Sequence, residues 1–359
     1  MVEEKRGKMK IDLIGTYPPP IGGTSVHLQR LYFCCKDRGY TVRVFDTHGA
    51  LKETSPQDQN VYRIKNYKKF FVKYLFDKDA KVVHSHSHSW KERAMLSFKA
   101  KLNKQKSIFT FHSFRDDKKT FGCIQKICVQ YTIRNASHFI ATSNEVREKM
   151  LAWGIKENKI SLISPFICPS YKENGVIEQE IENFIDKFEF IISANASNNE
   201  HFNGNDLYGL DMCIELQAEI KHKYNCGFIY VLTKVTDEKY LVELKNRIQK
   251  LDISNSFMLI EHGVDFVELL KRSKVFVRPT STDSRPLSVD ESISLGTPAV
   301  ASDVCWHPNS CVLFEARNQK LFNDAVEYVL SNYNMIKESV LSDSVEDCLE
   351  EIFGLYEKC

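Results

Sequence analysis

The sequence predicts an α/β protein with two Rossmann-like, doubly wound domains that face each other across a cleft. The chain has 359 residues, about twice the usual length of one domain. Short apolar segments alternate with amphipathic segments through most of the chain, as in successive β/α units. Two prolines, a glycine and polar residues interrupt this alternation once, over residues 165–175. We therefore expect a domain boundary there.

The apolar segments of the first half are short and rich in valine, isoleucine and phenylalanine, as is typical of buried parallel strands. Six strands are predicted, at residues 10–15, 41–45, 81–84, 107–111, 138–141 and 159–163. Helices are predicted between them, at residues 25–36, 91–102, 124–134 and 144–153. These elements predict a first domain over residues 1–168, followed by a linker over 169–186.

The second half repeats the alternation. Strands are predicted at residues 188–193, 228–232, 257–260, 275–277 and 299–302. Helices are predicted at residues 206–220, 238–251, 264–272, 287–295 and 319–330. We expect a second domain over 187–332, closed by one or two helices within 333–359. Ligands of doubly wound domains bind at the carboxyl ends of the strands, so the cleft between the two domains is the expected ligand site.

Charge is distributed unevenly between the halves. Residues 1–170 hold 31 Lys and Arg against 15 Asp and Glu, a net charge of +16. Residues 171–359 hold 18 against 32, a net charge of −14. A basic half suggests an anionic partner such as a membrane surface or nucleic acid. The chain carries no nucleic-acid recognition motif, so we expect no nucleic-acid partner.

Cysteine usage and hydropathy indicate the cellular compartment. The eleven cysteines form no CxxC pair, which argues against a disulfide framework or a zinc ribbon. The first ten residues are too charged for a signal peptide, and no apolar run approaches the ~20 residues that span a bilayer. These features predict a cytoplasmic protein.

Two loops are candidate ligand sites. The sequence YPPPIGG of residues 17–23 joins the first strand to the first helix. Glycines allow close approach of a ligand to the backbone, and a helix N-terminus favours an anion, so Gly22 and Gly23 suggest a phosphate. A tight strand–helix turn explains the same residues equally well.

The second loop follows the strand that ends near Arg278. It carries Asp283 and leads into a helix that carries Ser288 and Glu291, with seven residues between the two carboxylates. Carboxylates suit sugar hydroxyls because they accept several hydrogen bonds. The helix N-terminus between them can meet a phosphate.

At this point the sequence resembles glycosyltransferase family 4, whose members have the two-domain GT-B fold. The family's signature has two acidic residues with seven residues between them, which correspond to Asp283 and Glu291. The GTPAVAS of residues 296–302 matches the run that follows them. Further similarities are found at the first glycine loop, at TFH of 110–112, at ATS of 141–143 and at ISPFI of 163–167. The matches occur in the family's order and span most of the chain.

The resemblance implies roles for these residues. Glu291 would bind the ribose of a nucleotide, Asp283 the donor sugar, and His112 the sugar at the reaction centre. Gly22 and Gly23 would lie against the diphosphate. The backbone near the sugar and diphosphate would come from Ser284, Arg285, Pro286, Leu287 and Ser288. Such enzymes retain the anomeric configuration and use neither a metal nor a cofactor, only a nucleoside diphosphate sugar, here a UDP-sugar or a GDP-sugar.

The chain departs from the family at the start of the second domain. Asn195 and Asn203 stand where the family has an arginine and a lysine that neutralise the diphosphate. A leaving diphosphate without a cation is poorly stabilised. Arg278, Arg285 or Lys234 could substitute, because each is placed near a strand end or in the second loop. Weakened or absent activity is the alternative.

Histidines are concentrated in the first domain. In HSHSH of residues 84–88 the side chains alternate, so an extended chain would place three imidazoles on one face and could bind zinc. A strand that ends there and turns into a helix would break this face. His27 is expected on the packed face of the first helix, with the cleft as the alternative.

The segment 63–78 interleaves basic and aromatic residues, and residues 99–106 add positive charge. On a helix this pattern could lie on an anionic membrane, or the aromatics could pack inward. A membrane-facing first domain would be the acceptor side, as in relatives that act on polyprenyl-linked glycans. We therefore expect a retaining hexosyltransferase of bacterial surface polysaccharide assembly, cytoplasmic or peripheral on the inner membrane face. The alternatives are a nucleotide-sugar epimerase or hydrolase, or a non-catalytic binding subunit.

Overall fold

A computed structural model gives the fold and describes residues 9–19, 22–48, 58–114, 116–169, 176–283, 285–343, 345 and 347–358. The chain divides into two compact units, Met1–Ile167 together with Glu346–Cys359, and Cys168–Val345. Each unit is an α/β sandwich around a parallel sheet. The predicted α/β class with two doubly wound units is confirmed.

The described residues of the first unit contain seven parallel strands. They are β1 (Lys10–Gly15), β2 (Thr41–Asp46), β3 (Val61–Arg63), β4 (Val82–Ser85), β5 (Lys106–Phe111), β6 (His138–Ala141) and β7 (Ile160–Leu162). Their helices are α1 (Gly23–Asp37), α2 (Tyr67–Tyr74), α3 (Trp90–Leu102), α4 (Cys123–Asn135) and α5 (Asn144–Ala152). The strand order is β3-β2-β1-β4-β5-β6-β7, so the topology reverses between β1 and β4.

Helices cover both faces of this sheet, which explains its continuously apolar strands. In β1, Ile11 and Leu13 enter the core on one face, whereas Ile14 enters the core on the other. Side-chain hydroxyls set the beginnings of two helices: Ser89 accepts from the Glu92 N–H at α3, and Ser143 accepts from the Val146 N–H at α5.

The part of the second unit that the structure describes has eight strands: β8 (Phe190–Ala196), β9 (His201–Phe202), β10 (Asn205–Asp206), β11 (Cys226–Leu232), β12 (Phe257–Ile260), β13 (Val275–Arg278), β14 (Ala299–Ser302) and β15 (Val312–Phe314). Its helices are α6 (Gln179–Ile185), α7 (Leu210–Ile220), α8 (Glu238–Lys250), α9 (Phe266–Arg272), α10 (Leu287–Ser294), α11 (Gln319–Ser331) and α12 (Tyr333–Ser342). Six strands form the parallel sheet β12-β11-β8-β13-β14-β15, which reverses between β8 and β13. β9 and β10 form a small antiparallel hairpin.

The last helix, α13 (Leu349–Glu357), belongs to the first unit. Tyr356 is fully buried there, and its hydroxyl lies 2.6 Å from Nδ1 of His84. The Cys348 N–H donates to the Phe166 carbonyl at the start of this helix. This return of the chain to the first unit was not predicted from the sequence.

Two predicted helices are markedly shorter in the structure, and some short elements were not predicted. The helix expected from residue 206 begins at Leu210, because residues 201–206 form the hairpin and the Asp206 carboxylate accepts from the N–H groups of Tyr208 and Gly209. The helix expected within 63–78 is limited to α2, which begins where the Asn66 side chain accepts from the Lys69 N–H. β3 and β15, with three residues each, were not predicted.

Among the described residues, none of the helices combines the length and the apolar composition that a bilayer crossing requires.

Candidate active site

The reversal point of the second sheet brings two predicted site residues together. β8 and β13 are neighbours, and Asn195 and Arg278 lie at their carboxyl ends. In doubly wound sheets this position is where ligands bind. Two residues more than 80 positions apart in the sequence therefore meet at the edge that is expected to hold the donor.

Arg278 is held by three hydrogen bonds. Its Nη1 donates to the backbone carbonyl of Asn195 at 2.6 Å and to the Asn195 side-chain oxygen at 3.0 Å. Its Nη2 donates to the Asp283 carboxylate at 3.0 Å. The guanidinium stacks 4.7 Å from the ring centre of Tyr208, and the side chains of Arg278 and Asp283 are only 10% and 18% exposed. The arginine thus orients the Asp283 carboxylate.

The second loop of the site ends at α10. Pro286 is buried immediately before α10, and among the described residues no side chain caps the N-terminus that starts at Leu287. Ser288 is buried in the first turn, and Glu291 lies half-buried one turn later. Ser284 lies outside the described residues. The uncapped N–H groups of this helix can meet an anion.

Arg285 already has a partner. Its Nε donates to the carboxylate of Asp290 at 2.9 Å, and its guanidinium stacks 4.6 Å from the Trp306 ring centre. Burial raises the pKa of Asp290, and the Arg285 cation opposes that rise. The second candidate cation is therefore neutralised locally by a buried carboxylate that the sequence analysis did not single out. The sequence did not indicate Asp290 as a partner of Arg285, because its position in the helix is typical of a residue on the buried face.

The remaining candidates of the second unit lie at its surface. Lys234 is exposed and follows the carboxyl end of β11. Asn203 is exposed in the turn of the β9–β10 hairpin, with a φ of 50°. Within the described part of the chain, no hydrogen bond or ion pair joins either residue to the Arg278 cluster. Asn195 is thus part of the cluster, whereas Asn203 and Lys234 are not.

In the first unit the glycine loop leads into α1. Gly22 and Gly23 are exposed, and the Ser25 hydroxyl accepts from the Gly22 N–H and donates to the Gly22 carbonyl. A Cβ atom on Gly22 would meet nothing within 4 Å, and its φ of −173° suits any residue. Packing within this unit therefore does not require glycine at position 22.

Three histidines meet where the first sheet reverses. His27 lies on α1, His86 follows β4 and His112 follows β5. Nδ1 of His86 lies 3.0 Å from Nε2 of His112, and the ring centre of His27 lies 4.9 Å from that of His112. Nδ1 of His27 donates to the Pro165 carbonyl at 2.7 Å. The sequence analysis expected His27 on the packed face of the helix and did not connect it with His86.

Burial keeps these imidazoles neutral. It lowers the pKa of His27 to about 4 and that of His84 to about 3. It also lowers the pKa of His86 and of His112 well below the ordinary value, and the neighbouring histidines lower both further. A neutral imidazole offers one N–H donor and one lone pair, so this group can both donate to and accept from a polar ligand.

The HSHSH segment does not form the extended strand that would place its three imidazoles on one face to bind zinc. β4 ends at Ser85, His84 is buried against Thr110 and Tyr356, and His88 is exposed. His86 instead groups with His27 and His112, whose candidate ligand atoms lie within 4.8 Å of one another. Nitrogens on one tetrahedral zinc lie only ~3.4 Å apart. A metal would therefore need these rings to close in and the His86–His112 hydrogen bond to break.

Residues 99–106 contribute less surface charge than expected. Lys99 is fully buried, donates to the Gln105 side-chain oxygen at 2.6 Å and lies 4.0 Å from the Tyr74 ring centre. Burial lowers the pKa of Lys99 to about 8. Lys101 and Lys104 remain exposed. The expectation that Lys99 adds to a basic surface is wrong, because its stem packs into the core beside α2.

Comparisons with known proteins identify the family. A model described as Glycosyltransferase Family 4 matches residues 21–171, and one described as Glycosyl transferases group 1 matches residues 205–340. A search of curated proteins finds no match. The two matches together span most of the chain, which belongs to glycosyltransferase family 4 with its GT-B fold. The chain is accordingly a glycosyltransferase.

Solved structures show the same fold. The chain is similar to a glycosyltransferase of Rickettsia africae, with 15% identity over 98% of both chains and a TM-score of 0.71. It is similar to Anabaena HepE in complex with UDP and glucose, with 13% identity over 98% of this chain and 100% of that chain and a TM-score of 0.65. Sucrose-phosphate synthase of Thermosynechococcus elongatus gives 14% identity over 98% and 99% of the chains, with a TM-score of 0.64.

Proposed function

We propose that this glycosyltransferase moves a hexose, with retention of configuration, from a nucleoside diphosphate sugar to a glycan or polyprenyl-linked acceptor in bacterial surface polysaccharide synthesis. The observation that carries the proposal is the Asn195–Arg278–Asp283 cluster at the reversal point of the second sheet, beside the uncapped N-terminus of α10. This edge offers a carboxylate for sugar hydroxyls, a cation and free N–H groups for phosphate. Such a combination suits a sugar diphosphate.

The donor is a UDP-sugar or a GDP-sugar. Structures of HepE with UDP and with UDP-glucose are among those with the same fold, which supports a uridine nucleotide as the first candidate. Glu291 would accept hydrogen bonds from the ribose hydroxyls, and Asp283 would accept them from the sugar. Gly22 and Gly23 would lie against the diphosphate. Gly22 is compatible with this role because the first unit leaves open space around its Cα.

Diphosphate departure would need no metal and no other cofactor. Arg278 carries a permanent charge near the helix N-terminus, and its Nε is buried without a hydrogen-bond partner. Because Asp283 and Asn195 hold the guanidinium, Arg278 would act from a fixed position, as preorganised stabilisation requires. Arg285 and Lys234 would be secondary: Arg285 is paired with Asp290, and Lys234 is an exposed side chain outside the cluster.

Retention would follow from attack of the acceptor on the face of the sugar that the diphosphate leaves. The departing phosphate oxygen would take the acceptor proton, so the enzyme needs no separate base on that face. His112 would contact the transferred sugar in the role that the family resemblance gives it. Its neutral state suits hydrogen bonding to a hydroxyl better than proton transfer at neutral pH.

The transfer assay is the test. Purified protein is incubated with UDP- or GDP-hexoses, with and without a polyprenyl-diphosphate-linked sugar, in EDTA or in magnesium. The proposal predicts acceptor-dependent release of nucleotide in EDTA, and a product with the anomeric configuration of the donor. Asp283→Asn should reduce this turnover at least ~100-fold, whereas Glu243→Gln on the exposed face of α8 should not.

Other outcomes would redirect the proposal. Free hexose released without acceptor would indicate a hydrolase, and a changed sugar on the nucleotide would indicate an epimerase. If Asp283→Asn changed nothing and nucleotide bound weakly, the chain would be a non-catalytic binding subunit, in keeping with Asn195 and Asn203.

Membrane attachment would involve the basic surface of α2. Lys68, Lys69 and Lys73 are exposed there, and Val72 and Phe76 are 67% and 69% exposed beside them. Lysines attract anionic headgroups while exposed apolar side chains enter the interface. A polyprenyl-linked acceptor would then be met at the inner face of the cell membrane.

Vesicle sedimentation tests this attachment. The protein should pellet with vesicles rich in phosphatidylglycerol and not with pure phosphatidylcholine, and added salt should release it. The double variant Lys68→Glu, Lys69→Glu should lose pelleting, whereas Lys239→Glu with Lys234→Glu, on the second unit, should keep it. Equal pelleting of both double variants would argue against α2 as the membrane surface.

A further inference from the structure

The histidine group of the first unit contains a hydrogen bond that the function proposed above does not use. His86 is 2% exposed and directly follows β4, and its Nδ1 lies 3.0 Å from Nε2 of His112. Each neutral imidazole has one N–H and one lone pair, so a hydrogen bond between two rings requires one ring to donate and the other to accept. We infer that His86 is a positioning residue that fixes the tautomer of His112 and leaves its Nδ1–H free to donate to a sugar oxygen.

The direction of this hydrogen bond follows from the other nitrogen of His86. Nε2 of His86 is buried and has no hydrogen-bond partner. If His86 accepted from His112, its own N–H would sit on Nε2 and remain buried without an acceptor. An orphaned buried N–H is rarer than an orphaned acceptor. His86 therefore carries its proton on Nδ1 and donates it to Nε2 of His112.

The consequence for His112 is one defined tautomer. Its Nε2 accepts from His86, so in the neutral ring the proton resides on Nδ1. Nδ1 is the nitrogen that no other residue of the described chain engages. His112 thus presents an N–H donor, and not a lone pair, to whatever occupies the carboxyl edge of β5.

His27 completes the group from the other side. Its Nδ1 must donate because the Pro165 carbonyl can only accept, and this leaves a buried Nε2 lone pair without a partner. The His27 ring packs 5.2 Å from the His86 ring and 4.9 Å from the His112 ring, both measured between centres. His27 therefore packs against both rings and restricts their rotation, while His86 provides the hydrogen bond.

The test is a tautomer measurement that needs no substrate. Protein labelled with ¹⁵N in its histidine rings is examined by long-range ¹H–¹⁵N NMR, with His112→Asn used to assign the His112 signals. In the unsubstituted protein Nδ1 of His112 should be the protonated nitrogen. In His86→Phe, which keeps ring volume but has no donor, both tautomers should be populated. His138→Asn, at the amino end of β6, should leave His112 unchanged.

Kinetics separates positioning from simple packing. This part rests on the proposed transferase function, whereas the NMR does not, so either can fail alone. His86→Phe should lower kcat by about 10- to 100-fold with less than a twofold change in donor KM. His86→Asn places an amide N–H near the position of Nδ1 and should recover most of the loss.

Three results would overturn the inference. The first is a His112 of the unsubstituted protein with its proton on Nε2. The second is a His112 tautomer that stays the same in His86→Phe. The third is a stoichiometric metal ion on the purified protein that is lost in His86→Asn, because metal ligation would replace the hydrogen bond.

Discussion

Nη2 of Arg278 lies 3.0 Å from a carboxylate oxygen of Asp283, and the same guanidinium is held by the backbone carbonyl of Asn195. The pair joins the carboxyl end of β13 to the loop that follows it. Arg278 was predicted as a replacement for missing family cations, and Asp283 as a ligand of the donor sugar. The structure brings both into one ion pair, so each determines where the other lies.

Because Arg278 and Asp283 hold each other in place, the losses of activity caused by substituting them should not be additive. Arg278→Gln and Asp283→Asn should each lower kcat/KM by about 100-fold, because each leaves its buried partner misplaced. The double variant should lose much less than the product of the two, with a coupling energy of about 2 kcal/mol. Steady-state kinetics of the four proteins measures it. Strictly multiplicative losses would mean that the two residues act independently.

The histidine group predicts acid sensitivity of the first unit. The folded-state pKa values of His27 and His84 lie below the ordinary 6.5, so between these values the unfolded chain binds more protons than the folded chain. The stabilisation that these two neutral histidines contribute is therefore fully present above pH 6.5. It declines as the pH falls toward their folded-state pKa values. Each histidine contributes a slope of about 1.4 kcal/mol per pH unit in this range.

Urea unfolding between pH 7 and pH 5, monitored in the first unit, measures this slope. His27→Asn should flatten it by about one proton, and the same change at the exposed His262 should not. If neither substitution changed the slope of the unfolding free energy against pH, the buried imidazoles would not be the groups that titrate.

Gly209 links α7 to the donor loop. Its φ is +71°, and a Cβ there would lie 2.3 Å from the carbonyl oxygen of Pro279, the residue after Arg278. Gly209→Ala should therefore cost about 3 kcal/mol and weaken nucleotide binding, because the loop must shift. Gly204→Ala is the matched control: its φ is +80° but a Cβ would meet nothing within 4 Å. Thermal unfolding and nucleotide titration compare the two, and equal losses would contradict the steric argument.

Sequence patterns predicted several strands of both sheets closely. β1, β6, β12 and β14 begin and end at the predicted residues, because short apolar runs bounded by polar turns leave little freedom of assignment. Of the three-residue edge strands, β3 and β15 were not predicted, whereas β7 lies within the predicted strand at 159–163. The return of α13 to the first unit was also not predicted, since the sequence does not indicate on which sheet a terminal helix packs.

The candidate site was predicted as a set of residues but not as a set of contacts. Asp283 and Glu291 were recognisable from their spacing, which is local. The bond of Arg278 to Asn195 and the grouping of His27 with His86 and His112 depend on strand order, which brings distant segments to one sheet edge. The common signal was position: each of these residues except His27 lies within two residues of the end of a predicted strand.

Nucleotide titration tests the central claim most directly. Isothermal calorimetry with UDP, GDP, ADP and CDP, in EDTA and again in magnesium, should show one nucleotide series binding equally well in both. Glu291→Ala should weaken that binding at least ~10-fold, since Glu291 is half-buried and would contact the ribose. Binding of none of the four, or binding that is unchanged in Glu291→Ala, would contradict a nucleotide-sugar site at α10.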